Sequence, residues 1–148
     1  MSQQPLQAIG LPPIDQVGFV VRDIDAAIAQ YEPLFGPFSR METPIEGATY
    51  RGRKADCELK IAFGRSGNLE IELIECVSGE GPHREFIDAG GEGMHHLRFR
   101  VEDVDAWLPK LKELGYDPVW SKRWSADTVF CYLQRDGDPT LLELLQMP

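Results

Sequence analysis

Short apolar stretches with alternating polarity and two stretches with helical spacing follow one another along this chain in an order that recurs. Ile14 to Val21 and His95 to Val101 read as short strands. Each is followed by an aspartate, Asp23 or Asp103, placed to cap a helix by accepting from free backbone N–H groups. Behind the caps, Ile24, Ala27, Ile28, Tyr31 and Phe35, and then Val104, Trp107, Leu108, Leu111 and Leu114, recur at helical spacing as core-facing stripes. Pro33 and Pro109 fall inside these stripes and predict kinked or shortened helices. After Gly36 come β-rich segments at Ala48 to Lys54, Cys57 to Phe63 and Leu69 to Val77. After Gly115 come Asp117 to Arg123, Thr128 to Gln134 and Thr140 to Gln146. Gly64-Arg65-Ser66-Gly67-Asn68 and Arg135-Asp136-Gly137-Asp138-Pro139 carry the residues that tight hairpins demand.

The recurrence extends to residue identity. Val21-Arg22-Asp23-Ile24-Asp25-Ala26 returns as Val101-Glu102-Asp103-Val104-Asp105-Ala106 at an offset of 80, which also pairs Gln16 with His96. Leu69 to Ile74 matches Thr140 to Leu145 at an offset of 71, pairing Glu72 with Glu143. The pattern predicts an α+β fold of two tandem β-α-β-β-β modules, at 14–78 and 94–148, within one compact domain. Residues 1–13 form a flexible lead, and the Gly-rich stretch 79–93 is the linker, with a possible helical turn at His83 to Asp88.

With 148 residues, the chain can bury a core without disulfides or structural metal. Its 15 Lys+Arg against 24 Asp+Glu leave a net charge of −9, which excludes a nucleic acid or an anionic membrane as the main partner, because both require a basic footprint. Cys57, Cys76 and Cys131 form no C-x-x-C pair, so neither a disulfide framework nor a cysteine-rich zinc site is indicated. Without a signal-peptide pattern or a long apolar run, the expectation is a cytoplasmic protein.

Strand alternation identifies the chemistry. Glu72 shares a face with Glu70, and His96 with Arg98 and Arg100, while Glu143 stands between Leu142 and Leu144 and Gln16 precedes Val17. Singly, each would be a solvated or locally satisfied side chain. Together, Gln16, Glu72, His96 and Glu143 are burial-averse groups at repeat-related positions, and their oxygen and imidazole donors suit one divalent ion such as Zn, Ni, Co, Mn or Fe.

Ile14-Asp15-Gln16-Val17-Gly18-Phe19-Val20-Val21-x-Asp23, Gly93-Met94-His95-His96-Leu97-x-Phe99 and the closing Leu141-Leu142-Glu143-Leu144 resemble the vicinal oxygen chelate (glyoxalase/bleomycin resistance/dioxygenase) superfamily, and within it the methylmalonyl-CoA epimerase-like members. The resemblance implies a curved, cup-shaped mixed sheet with helices outside, a homodimer, and metal ligands at Gln16, Glu72, His96 and Glu143. Gln16 departs from the epimerase pattern, which has His there. Gln, Glu, His and Glu together resemble the eukaryotic type of glyoxalase I.

The implied chemistry is proton transfer next to a metal-polarised carbonyl by an isomerase, epimerase or lyase acting on a CoA thioester or a glutathione adduct. Glu143 is the base that is also a ligand. Glu58 is a candidate second base, its alternative being a pair with Lys60 on a solvated face. Arg98 and Arg100, projecting into the cup, are candidate substrate-binding residues, with pairing of Arg98 to Glu70 or Glu72 the alternative. Basic residues at Arg51, Arg53, Lys54, Lys122 and Arg123 offer a patch for phosphates or are simply solvated. Two rival functions are a ring-cleaving dioxygenase, against which Gln16 argues, and a non-catalytic binding protein of bleomycin-resistance type.

Overall fold

In the computed structural model, which describes residues 7–148, the described residues form eight strands and three helices. The first half runs β1 (Ile14–Val20), α1 (Ile24–Phe35), β2 (Ser39–Tyr50), β3 (Arg53–Ser66) and β4 (Leu69–Gly79). After α2 (Pro82–Asp88), the second half repeats the order with β5 (Gly93–Arg100), α3 (Val104–Glu113), β6 (Tyr116–Arg123), β7 (Val129–Arg135) and β8 (Leu141–Gln146). The first six residues of the expected lead lie outside the described residues.

The strands close into one mixed barrel in the order β1-β4-β3-β2-β6-β7-β8-β5. Each half contributes one parallel pair, β1 with β4 and β5 with β8, because its first strand feeds a helix before the sheet returns. The halves join where β1 runs antiparallel to β5 and where β2 meets β6. The second seam is short, pairing only Thr49 with Ser121 and Tyr50 with Trp120. Beyond it the sheet parts: Met41 pairs with inward-facing Ile61, yet is 44% exposed. The predicted α+β cup with outer helices is this barrel, with its shortest seam between β2 and β6.

Alternation sorts the core into three layers. Leu59, Ile61, Ile74, Trp120, Phe130 and Tyr132 fill the interior. Ala62 and Leu73, on the other face, pack against Ile24, Ala27 and Ile28 of α1, and Cys131, Leu133 and Leu144 pack against Val104 and Leu111 of α3. Asp23 caps α1, accepting from the amides of Asp25 and Ala26 at 3.0 and 3.2 Å, whereas Asp103 occupies the cap position of α3 without a side-chain bond.

Two expectations need correction, the shortening of the helices at their prolines and the strand over Ala48 to Lys54. Neither proline ends its helix, since α1 spans Pro33 and α3 spans Pro109. Each removes one ladder bond, and the carbonyls left behind belong to Ala29 and Asp105, both exposed residues on the solvent side of their helices. The strand expected over Ala48 to Lys54 is instead a hairpin tip, with Arg51 (φ 49°) and Gly52 (φ 84°) both left-handed as a two-residue turn requires. The strand before it begins at Ser39, in a segment whose outward and inward positions are both largely exposed, so alternation gave no signal there.

Candidate functional site

Gln16, Glu72, His96 and Glu143 all point into the barrel. Cross-strand register puts Gly18 beside both Glu72 and His96, Gln16 beside Arg98, and Arg98 beside Glu143. All four candidate ligands are buried. His96 Nε2 stands 3.1 Å from a Glu72 oxygen, 3.4 Å from a Glu143 oxygen and 3.4 Å from the Gln16 amide oxygen. The Gln16 amide is oriented by Glu70, which accepts from its NH2 group at 2.7 Å and so leaves the oxygen facing the imidazole. Gly18 makes the arrangement possible, because a Cβ there would lie 2.0 Å from His96 Cε1.

Arg98 closes this end of the interior. Its guanidinium donates to both oxygens of Asp15 at 2.9 and 3.1 Å and lies 3.6 Å from Glu70. The pairing expected with Glu70 or Glu72 is therefore made chiefly with Asp15, a partner that only the β1–β5 register brings within reach. Arg100, two residues on, is exposed at the strand end and donates to the Pro148 carbonyl, so it does not project into the cup. Glu58 is likewise exposed, sharing the outer face with Lys60 and Ala62 while Cys57, Leu59 and Ile61 point inward. The structure thus does not bring Glu58 to the other site residues. The basic patch is largely neutralised, with Arg51 on Glu85, Arg53 on Glu80 and Arg123 on Asp105.

Burial shapes the titration of the cluster. Glu143 is pushed up to about 7 by loss of solvent, with His96 opposing and the neighbouring Glu72 reinforcing the shift. On the other side of His96 lie two further histidines. His95 Nδ1 sits 3.0 Å from His96 Nδ1, and His83 Nε2 sits 3.2 Å from the Tyr132 hydroxyl. Burial depresses His95 to about 3 and His83 well below its ordinary value, so both are neutral. Among the described residues, His83 Nδ1 is a buried atom without a hydrogen-bond partner. Repeat matching could not find His83, because it lies in α2, which has no counterpart in the other half.

Two overlapping groups could hold an ion. One is His83, His95 and His96, each with a ring nitrogen within 4.8 Å of the others. The other is Gln16, Glu72, His96 and Glu143. The second fits a divalent cation better on its own chemistry. Asp15, Glu70 and Glu143 neighbour the one guanidinium of Arg98 and Glu72 lies against His96, so the carboxylates outnumber the cation, an imbalance that a dication offsets. The spacings of 3.1 and 3.4 Å from nitrogen to oxygen also match the edge of a coordination polyhedron with metal–ligand bonds of about 2.0–2.2 Å.

Fold and sequence together define the class. Residues 15–132 match the family model of the glyoxalase/bleomycin resistance protein/dioxygenase superfamily, and the chain belongs to that superfamily. The ethylmalonyl-CoA/methylmalonyl-CoA epimerase of Cereibacter sphaeroides is 29% identical over 105 residues, 69% of this chain and 70% of that protein. An uncharacterized protein of Bacillus subtilis, YqjC, is 30% identical over 101 residues, spanning 68% of this chain but 65% of YqjC. Among solved structures, a methylmalonyl-CoA epimerase from Mycobacterium tuberculosis shares the fold with a TM-score of 0.66, at 24% identity over 97% of this chain and 93% of that one. No helix among the described residues is long and apolar enough to cross a membrane.

Proposed function

We propose that this protein is a divalent-metal-dependent isomerase that moves a proton next to a carbonyl, acting as an epimerase on a CoA thioester of the methylmalonyl-CoA kind. The observation that carries the reading is the pair of carboxylates, Glu72 and Glu143, placed on equivalent strands of the two halves and reaching His96 Nε2 at 3.1 and 3.4 Å. Gln16, Glu72, His96 and Glu143 would hold the ion, which supplies polarisation of the substrate carbonyl and so makes the neighbouring C–H more acidic.

The residues do the rest. Glu143, whose carboxyl burial pushes up to about 7 in the metal-free protein, is the carboxylate placed to take a proton from carbon and give it back. Inverting a carbon requires proton removal on one side and return on the other. Glu72 is the second carboxylate within the barrel that reaches the site, a role that exposed Glu58 cannot fill from the outer face. Gln16 presents its oxygen because Glu70 holds the amide, and Arg98 balances charge at the inner end through Asp15. The Cereibacter relative, named for ethylmalonyl-CoA and methylmalonyl-CoA, supports the substrate class.

A second reading, a lyase of glyoxalase I type acting on a glutathione adduct, is favoured by one specific feature, the glutamine at position 16 together with Glu72, His96 and Glu143. The test loads the purified protein with Zn, Ni, Co, Mn or Fe and follows solvent deuterium entering methylmalonyl-CoA alongside turnover of the methylglyoxal–glutathione adduct. Deuterium incorporation, reduced about 100-fold or more in Glu143→Gln, is expected. Turnover of the adduct alone would favour the second reading. No bound metal and no exchange would leave a small-molecule binding protein.

A further inference from the structure

We infer that Glu70 is a positioning residue on which metal binding through an amide at position 16 depends, and that the duplicated half lacks its counterpart because the equivalent ligand there is an imidazole. This rests on the reading that Gln16, Glu72, His96 and Glu143 hold a divalent ion.

An amide has two ends of nearly the same shape and opposite chemistry, an oxygen that can ligate a cation and an NH2 group that can only donate. A half-turn about the last side-chain bond exchanges them, so the choice has to come from a neighbour. Glu70 Oε1 lies 2.7 Å from Gln16 Nε2, and a carboxylate oxygen can only accept. With the amide turned over, two acceptors would face each other at that distance, and the NH2 group would replace the oxygen that stands 3.4 Å from His96 Nε2. Gln16 is fully buried, so bulk solvent cannot supply the acceptor in place of Glu70. The same Glu70 oxygen stands 3.6 Å from an Arg98 nitrogen, and Arg98 is tied to Asp15 by bonds of 2.9 and 3.1 Å. The orienting carboxylate is thus anchored from β5 as well as β4. Groups that orient a ligand in this way contribute to metal affinity nearly as the ligands do.

The duplication supplies a built-in control. In the first half Gln16 pairs across the parallel strands with Glu70, and the carboxylate ligand Glu72 follows two residues on. In the second half His96 pairs with Leu141, and Glu143 follows two residues on. Every ligand therefore has its equivalent, while the residue beside the first ligand is glutamate in one half and leucine in the other. Leu141 is buried in the barrel interior, where it offers His96 nothing but packing. An imidazole asks for no more from that position, because its second nitrogen lies across the ring and meets residue 95 of its own strand at 3.0 Å. A carboxylate on the inner face of a barrel costs free energy unless its oxygens are used. The chain carries one at this position only where the neighbouring ligand is an amide.

The experiment combines calorimetric titration of Zn²⁺ into the native full chain, Glu70→Leu, Gln16→Glu and the pair Gln16→Glu/Glu70→Leu with nitrogen-resolved NMR of the Gln16 carboxamide in the metal-free native protein. Glu70→Leu copies what the second half carries at the equivalent position, Leu141. It should weaken zinc binding 10- to 100-fold. In the Gln16→Glu background both ends of the side chain are oxygens and no orientation is left to fix. There the same Glu70→Leu change should stay within about threefold, or tighten binding by removing a repelling carboxylate. Equal losses in both backgrounds would reduce Glu70 to a general source of negative charge and overturn the proposal, as would unchanged binding in Glu70→Leu alone. The native spectrum should show one carboxamide proton of Gln16 shifted downfield and slow to exchange, as a hydrogen bond to a carboxylate makes it. Two freely exchanging carboxamide protons overturn the proposal without recourse to any variant. Native protein that takes up no zinc overturns the metal reading, and with it the role given to Glu70, whereas zinc uptake with equal losses overturns that role and leaves the metal reading standing.

Discussion

At one end of the barrel interior, Asp15, Gln16, Glu70, Glu72 and Glu143 crowd around Arg98 and one face of His96. At the other, His83 and His95 lie among Trp120, Phe86 and Tyr132 beneath α2. Both ends bury polar groups, and they do so in opposite ways. The acidic end keeps charge and offsets it, with one guanidinium in place and room in the charge balance for a dication. The aromatic end discharges its groups instead, burial holding both imidazoles neutral. His96 belongs to both ends, one nitrogen to each.

The largest effect should come from breaking the boundary between the two ends. His96 occupies the space that a side chain at Gly18 would take, with the nearest ring atom 2.0 Å from a built Cβ. Gly18→Ala should destabilise the protein by about 3 kcal/mol and weaken metal binding on the order of 100-fold, because the ring cannot stay between the carboxylates and His95. Urea unfolding and zinc titration measure the two losses, and a variant as stable and as tightly binding as the native chain would show that His96 has another place to go.

The next effect isolates the acidic end. Glu143 is raised from 4.5 to about 7, so in metal-free protein the native state holds a proton that the unfolded state releases between those values. Stability is therefore highest below about pH 4.5 as far as this group is concerned, falls as pH rises, and levels off above about 7. Glu143→Gln should remove that slope and make the metal-free protein more stable at pH 8, by up to about 3 kcal/mol. Metal should reverse the ranking, since the variant loses a ligand. Equal stability curves for the two metal-free chains would contradict the burial assigned to this carboxyl.

The aromatic end has the opposite sign. His95 is lowered from 6.5 to about 3, so the unfolded chain gains a proton that the native state refuses as pH falls through that window. In the Glu143→Gln background, where the opposing carboxyl is gone, moving from pH 7 to pH 5 should cost about 2 kcal/mol through His95 alone. His83, lowered in the same direction, adds to it. Denaturant unfolding at the two pH values tests this, a flat response being the contrary result.

How far the sequence could be read follows from the same contrast. Duplication and alternation pointed to Gln16, Glu72, His96 and Glu143 because each has a partner in the other half. The aromatic end had no such signal, since His83 lies on α2 and His95 falls at the register shift between β1 and β5. Arg98 was recognised as needing an anion, but which anion depended on how β5 lies against β1, and that register is a long-range outcome of barrel closure. Alternation also states which residues share a face without stating which face turns inward. One face of β3 carries Leu59 and Ile61 and the other carries Glu58 and Lys60 before Ala62 beneath α1, and a polar face that ends under a helix did not show from sequence on which side Glu58 stands.

Glu58 therefore makes the smallest expected effect and a direct control on the comparison. It sits on the outer face, exposed, with Pro44 on one neighbouring strand and Ser78 on the other, and with Leu59 and Cys57 turned to the interior in its place. A carboxylate there can neither reach a substrate inside the barrel nor join the excess charge around His96. Glu58→Gln should change stability by less than about 0.5 kcal/mol, as surface substitutions do, and leave zinc affinity and deuterium exchange at native levels. A fall in exchange comparable to that of Glu143→Gln would mean that the working barrel turns this face of β3 toward the substrate. The two carboxylates on β4 and β8 would then no longer suffice as the proton-handling pair.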